Sequence, residues 1–191
     1  MEVSASPIKE AALRKGIPVF QPSDLKEQNF LKGLRALGAD LFVVIAYGRF
    51  LPAEVLAIPR MFAINVHSSL LPQYRGAAPI NRAIINGERE TGVSIIRVTA
   101  KMDAGDIIAQ EKMKILKADT SASVRARMME IGPKLLLKTI DSIEKGTYTF
   151  TVQDDRKAAP APKLTKELGQ IQWNKQAVVL HNLARGLLPW P

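Results

Sequence analysis

Residues 41–46 read Leu-Phe-Val-Val-Ile-Ala, six apolar side chains without a break. A strand with one wet face alternates apolar and polar residues. An unbroken apolar run is the pattern of a strand covered on both faces, and such strands belong to parallel sheets. Parallel neighbours cannot be joined by a tight turn; they need a crossover of a dozen or more residues, usually a helix. The run therefore points to an α/β architecture before any other segment is read.

The flanking segments agree. Pro7 to Lys15 reads as a helix closed by Gly16, since Pro suits a first turn and Gly accepts the left-handed exit. Ile17–Phe20 reads as a short strand, at an edge or end because of Pro18. Ser23 or Asp24 can cap the next helix, running to about Leu37 with Leu25, Phe30, Leu31 and Leu34 on one side. Beyond the apolar run, a short helix is expected over Pro52–Leu56 and a buried strand from Met61 into Asn65. A helix follows over Pro79–Asn86. Val93–Val98 and Asp106–Lys112 read as two strands around the turn Lys101–Asp106. Ser121–Glu144 carries Val124, Met128, Ile131, Leu135 and Ile140 at helical spacing. The fold expected is an α/β sheet of Rossmann type, mostly parallel with a mixed end. After residue 150 the character changes. A polar, Pro-containing stretch over 151–167 reads as a linker. Residues 168–191 show a helical pattern over Gln176–Arg185 but no core of their own, as at the opening of a second domain.

Composition narrows the chemistry. The chain of 191 residues has no cysteine, which excludes disulfides, thiolate catalysis and Cys-ligated metal. His67 and His181 are the two histidines, too few for a His-rich metal site, so no metal is expected. A net charge of +9 favours a polyanionic partner and equally fits a solubilising surface. No apolar run approaches the ~20 residues that span a bilayer, and Glu2–Lys15 is polar, so no membrane association is expected.

Asn65 and His67 are two apart on an expected strand, so their side chains share a face. They stand at its carboxyl end, where open α/β sheets bind ligands. A carboxamide and an imidazole can both donate N–H toward one oxygen, which is useful where a carbonyl gains negative charge. Asp103, in the turn, could orient the imidazole or hold a water that takes a proton. Ser68 and Ser69 lack an independent base, so the reading is direct acyl-type transfer to a nucleophile brought by the substrate. A free α-amine, with a pKa near ~8, is already partly deprotonated near neutrality. Plainer readings stay open: a structural histidine, Asn65 satisfying a turn, Asp103 and Gly105 as turn chemistry, and Arg75-Gly76 as a loop or a phosphate contact.

Taken together, these residues resemble the 10-formyltetrahydrofolate-dependent formyltransferases. The hallmark is Asn65-x-His67, then Ser69-Leu70-Leu71-Pro72, then Asp103-Ala104-Gly105-Asp106-Ile107. The resemblance covers essentially the whole chain. It implies a Rossmann-like core over 1–150 and the start of a C-terminal tRNA-binding domain over 168–191. It implies that Asn65, His67 and Asp103 are catalytic. It also implies that Ser69, Leu70, Leu71 and Pro72 hold the folate, with Val44, Ile45, Ala46 and Tyr47 lining the pterin pocket. The donor implied is 10-formyltetrahydrofolate.

Tyr74–Ile80, Ala161–Glu167, His181–Leu183, Arg185-Gly186 and Pro189-Trp190-Pro191 bring the chain nearest to the branch that formylates initiator methionyl-tRNA in translation. That branch implies a cytoplasmic setting, an organelle matrix being the alternative, and a monomer when full length. Other readings are an inactive or tRNA-binding fragment, and formyl transfer to a sugar nucleotide or glycinamide ribonucleotide. The resemblance further implies an opening strand, helix, strand and basic loop ahead of Ser6–Glu10, and a larger domain beyond residue 191. On that expectation the first strands of the sheet are missing, and the chain alone transfers weakly and aggregates.

Overall fold

The computed structural model describes residues 5–191. The Ser6 side chain accepts from the Lys9 amide and opens α1 (Pro7–Arg14), which buries none of its residues. Residues 17–20, expected as a strand, are irregular, and Ile17 and Phe20 are exposed. Pro18 offers no N–H to a ladder, and no described strand lies beside this segment to hold it extended. α2 (Gln28–Ala36) starts later than the sequence implies. The Asp24 carboxylate accepts from the Lys26 amide at 2.9 Å, closing a separate turn instead of capping the helix.

β1 (Leu41–Ile45) runs parallel to β2 (Phe62–His67), with α3 (Ala53–Leu56) in the crossover. β2 pairs antiparallel with β4 (Glu90–Arg97), and β4 with β5 (Ile107–Lys114), giving the order β1-β2-β4-β5. The fold is thus α/β with a parallel seam and a mixed end; of the three pairings described, that seam is the parallel one. β1 departs from expectation. Val43 is 40% and Ile45 55% exposed, so its apolar run is not covered on both faces. Among the described residues β2 is the one strand beside it, which leaves Val43 and Ile45 partly open to solvent.

The main core lies on the other side of β2. Ile64, Ile84, Ile95 and Val124 are fully buried, bringing together β2, α4 (Pro79–Ile85), β4 and α5 (Ser121–Glu144). Thr120 and Ser123 cap α5 reciprocally, each side chain accepting from the other's amide. A smaller cluster of Leu25, Leu31 and Val55 sits under α2 and α3.

The polar stretch after residue 150 is tied to the core. Thr151 bridges Ile107, and two short strands, β3 (Arg75–Gly76) and β6 (Pro160–Ala161), pair in parallel. Gly76 belongs to this contact. Its φ is +124°, and a Cβ there would stand 2.7 Å from the Ala161 carbonyl oxygen. α6 (Ala177–Leu187) packs on α4, where the Asn81 side chain donates to the Gly186 carbonyl at 2.7 Å. No helix among the described residues is long and apolar enough to cross a membrane.

Candidate active site

Three segments build the site. The first is the carboxyl end of β2. Asn65 and His67 project from one face, as strand alternation requires, and β1 lies alongside in register, Val44 opposite Asn65. The second is the turn between β4 and β5, which carries Asp103. The third is the stretch after β2 that ends in β3.

The three expected polar side chains meet. Asn65 Nδ2 donates to Asp103 Oδ1 at 3.4 Å. His67 Nδ1 lies 3.6 Å from Asp103 Oδ2, with both side chains largely buried. The other ring nitrogen is committed: Nε2 sits 2.9 Å from the Tyr74 carbonyl oxygen. A carbonyl can only accept, so Nε2 carries a proton, and His67 meets any ligand through Nδ1, the nitrogen facing Asp103. This refines the expectation that an imidazole N–H is simply free to donate. Asp103 Oδ2 also accepts the Gly76 amide at 2.9 Å, so the carboxylate spans all three segments.

Asp103 takes φ +50°, in the left-handed region. The turn that forces it is made possible by Gly105, where a Cβ would lie 1.8 Å from the Arg97 carbonyl oxygen. Only a residue without a side chain lets these backbones approach so closely.

The stretch after β2 is held from within. Ser69 is fully buried and its hydroxyl donates to the Gln73 carbonyl at 2.6 Å. Leu71 is buried with Ile96 and Ile107. Ser94 Oγ donates to the Ser69 carbonyl and accepts from the Leu71 amide and from Gln110 Nε2. Ser69 and Leu71 thus act as anchors of the 69–72 loop, whereas Leu70 and Pro72 are partly open. Val44 is half-buried next to Asn65, and Ile45, Ala46 and Tyr47 are exposed on the β1 side. A cavity of about 280 Å³ lies behind Tyr74, lined by Leu70, Gln73, Glu88, Glu90 and Thr91, apart from the trio. There the buried Tyr74 phenol donates to Glu88 at 2.6 Å. Burial, reinforced by Glu88, pushes the phenol up to about 12.

The sequence reading missed three contributors. The Tyr74 carbonyl and the Gly76 amide are backbone groups, which no side-chain pattern announces. Gln153 lay in the stretch read as linker, yet it is buried and its Nε2 donates to the Asp103 and Gly105 carbonyls at 2.8 and 2.6 Å. Its only signal was being polar and next to two aspartates, one of which, Asp155, is held below the usual carboxylate range by the Arg75 guanidinium.

A carboxamide, an imidazole and a carboxylate thus gather at the end of β2, an arrangement with the donors to receive a carbonyl oxygen. The chain belongs to the formyl transferase family: residues 2–140 match the formyl transferase domain and residues 163–191 its C-terminal domain. It is 43% identical over 190 residues to the methionyl-tRNA formyltransferase of Alkaliphilus oremlandii, covering 100% of this chain and 61% of that protein. It is 46% identical over 185 residues to the methionyl-tRNA formyltransferase of Moorella thermoacetica, covering 97% and 60%. The chain thus spans about three fifths of the length of these relatives. In fold it resembles the N-formyltransferase of Helicobacter canadensis solved with folinic acid and dTDP-3-aminofucose. The TM-score is 0.73 at 22% identity, over 93% of this chain and 62% of that one.

Proposed function

We propose that this chain carries the catalytic core of an enzyme that transfers a formyl group from 10-formyltetrahydrofolate to the α-amine of initiator methionyl-tRNA. The observation that carries the reading is the meeting of Asn65, His67 and Asp103 at the end of β2. The identity to methionyl-tRNA formyltransferases over the whole chain supports this acceptor over the others.

The donor would supply an activated formyl carbon. Attack by the amine forms a C–N bond and puts negative charge on the formyl oxygen. Asn65 Nδ2 is a preset donor for that oxygen, and a proton-bearing His67 Nδ1 beside it would be a second. The new C–N bond is retained as the bond to the folate nitrogen breaks; the amine gives up one proton and the folate nitrogen takes one. The His67–Asp103 pair is placed to carry that proton. The apolar Val44–Tyr47 segment, with Val44 opposite Asn65, and the Ser69–Pro72 loop would hold the folate, the buried Ser69 and Leu71 keeping that loop in place. The positive net charge suits a tRNA acceptor. The setting is the cytoplasm, where that substrate is used, and the complete protein acts as a monomer.

The test is a formyl-transfer assay with methionyl-tRNA, a sugar nucleotide amine and glycinamide ribonucleotide offered side by side. Methionyl-tRNA should be the preferred acceptor, and Asn65→Ala should lower its formylation by about 10²–10³-fold, the cost of one oxyanion donor. Preference for another acceptor, or full activity in Asn65→Ala, would overturn the reading.

A further inference from the structure

We propose that Gln153 is the positioning residue of this site, the side chain that fixes the Asp103 carboxylate against His67. The proposal rests on the reading of Asn65, His67 and Asp103 as the working groups. Gln153 lies between the two stretches matched by the family, 2–140 and 163–191.

Gln153 is 7% exposed, and its amide is fully engaged. Oε1 accepts from Arg75 Nε at 3.0 Å and Nη2 at 2.8 Å. A guanidinium only donates, so the amide oxygen must face it and the amide nitrogen must face the opposite way. There Nε2 spends its two hydrogens on the carbonyls of Asp103 and Gly105. The first of those carbonyls belongs to the strained residue itself, Asp103 at φ +50°, and the second lies two residues on. A left-handed non-glycine residue is strained and persists only where its surroundings hold it. The other end of the side chain leads through Arg75 to Gly76, whose amide binds Asp103 Oδ2. One side chain thus ties together the backbone that carries the carboxylate and the strand whose N–H receives it.

The isosteric change Gln153→Glu separates this role from volume. It keeps an acceptor for Arg75 but sets a carboxylate oxygen against two carbonyls. Gln153→Met fills similar space with neither donor nor charge. The 191-residue chain has two histidines, so ring NMR signals of the isotope-labelled chain report His67 directly, with His181 on α6 as internal reference. In both variants the His67 ring signals and their pH profile should move toward those of Asp103→Asn, while His181 stays put. Asp155→Asn, which removes the exposed partner of Arg75 (2.8 Å), should leave both unchanged.

Unmoved His67 signals in either folded variant, even with a lower melting temperature, would make Gln153 a merely structural brace and overturn the proposal. So would an equal shift in Asp155→Asn, or loss of folding in both Gln153 variants, since a positioning residue must be separable from the fold. Where turnover is measured, kcat should fall about 10–100-fold with KM for the amine acceptor unchanged. The ring signals need no turnover, so an acceptor other than methionyl-tRNA being preferred would sink the functional reading and leave this test standing.

Discussion

On one side of the β1–β2 seam, Ile64, Ile84, Ile95 and Val124 are wholly buried among β2, β4, α4 and α5. On the other side Leu25, Leu31 and Val55 form a small cluster, and Val43 and Ile45 remain open to solvent. The site straddles the two. Asn65, His67 and Asp103 hang from the heavily packed side, and the Val44–Tyr47 segment belongs to the lightly packed one. Dense packing raises the cost of any displacement. On the proposed function, the groups that must keep fixed distances are mounted on the densely packed half, and the segment that would cover an apolar ring is on the half with less to hold it.

The largest effect expected from testing this contrast is in the core. Ile95→Ala should cost about 4 kcal/mol in urea unfolding, near the top of the range for such truncations, and Leu31→Ala about 2 kcal/mol, near the bottom. Equal losses would erase the distinction between the halves.

A smaller effect concerns Tyr74, in the packed half. Its phenol titrates at about 12 in the folded chain against an ordinary 10.0. Below pH 10 both folded and unfolded chains hold the proton, and this group adds no pH dependence. Between about pH 10 and about pH 12 the unfolded chain releases it first, so stability should fall across that window. Tyr74→Phe should flatten that part of the stability curve, measured as the difference from the parent; an unchanged slope would mean the phenol is not held as described.

The smallest effect on stability is expected at the open strand. Val43→Lys should change unfolding by no more than about 0.5 kcal/mol yet reduce self-association in size-exclusion chromatography, because a charge blunts an apolar edge. A large loss of stability would show that this face is covered after all.

Legibility followed the same divide. Strand alternation alone put Asn65 and His67 on one face, and the spacing of Val124, Met128 and Leu135 gave α5 over the range observed. The apolar run at 41–46 revealed what β1 would bury, but burial needs a partner, and no pattern within a strand says whether one is there. Asp103 was recognisable from its motif, but its approach to His67 depends on the Tyr74 and Gly76 backbone and on Gln153, which come from segments far apart in the chain. Residues 151–167 look like a linker because they lack periodicity; the order of the first of them comes from hydrogen bonds to Arg75, Asp103 and Ile107, each a tertiary fact. Asp24 misled for a local reason, its carboxylate being equally suited to a turn and to a helix cap.

Ser94 carries a thermodynamic consequence. A hydroxyl has one hydrogen to give and two lone pairs to receive with, and here all three are spent on the Ser69 carbonyl, the Leu71 amide and the Gln110 carboxamide. With no valence left over, the 69–72 loop is set in shape before anything docks against it. A molecule landing there meets a mould already cast, and the entropy of ordering that loop is charged to folding, not to association.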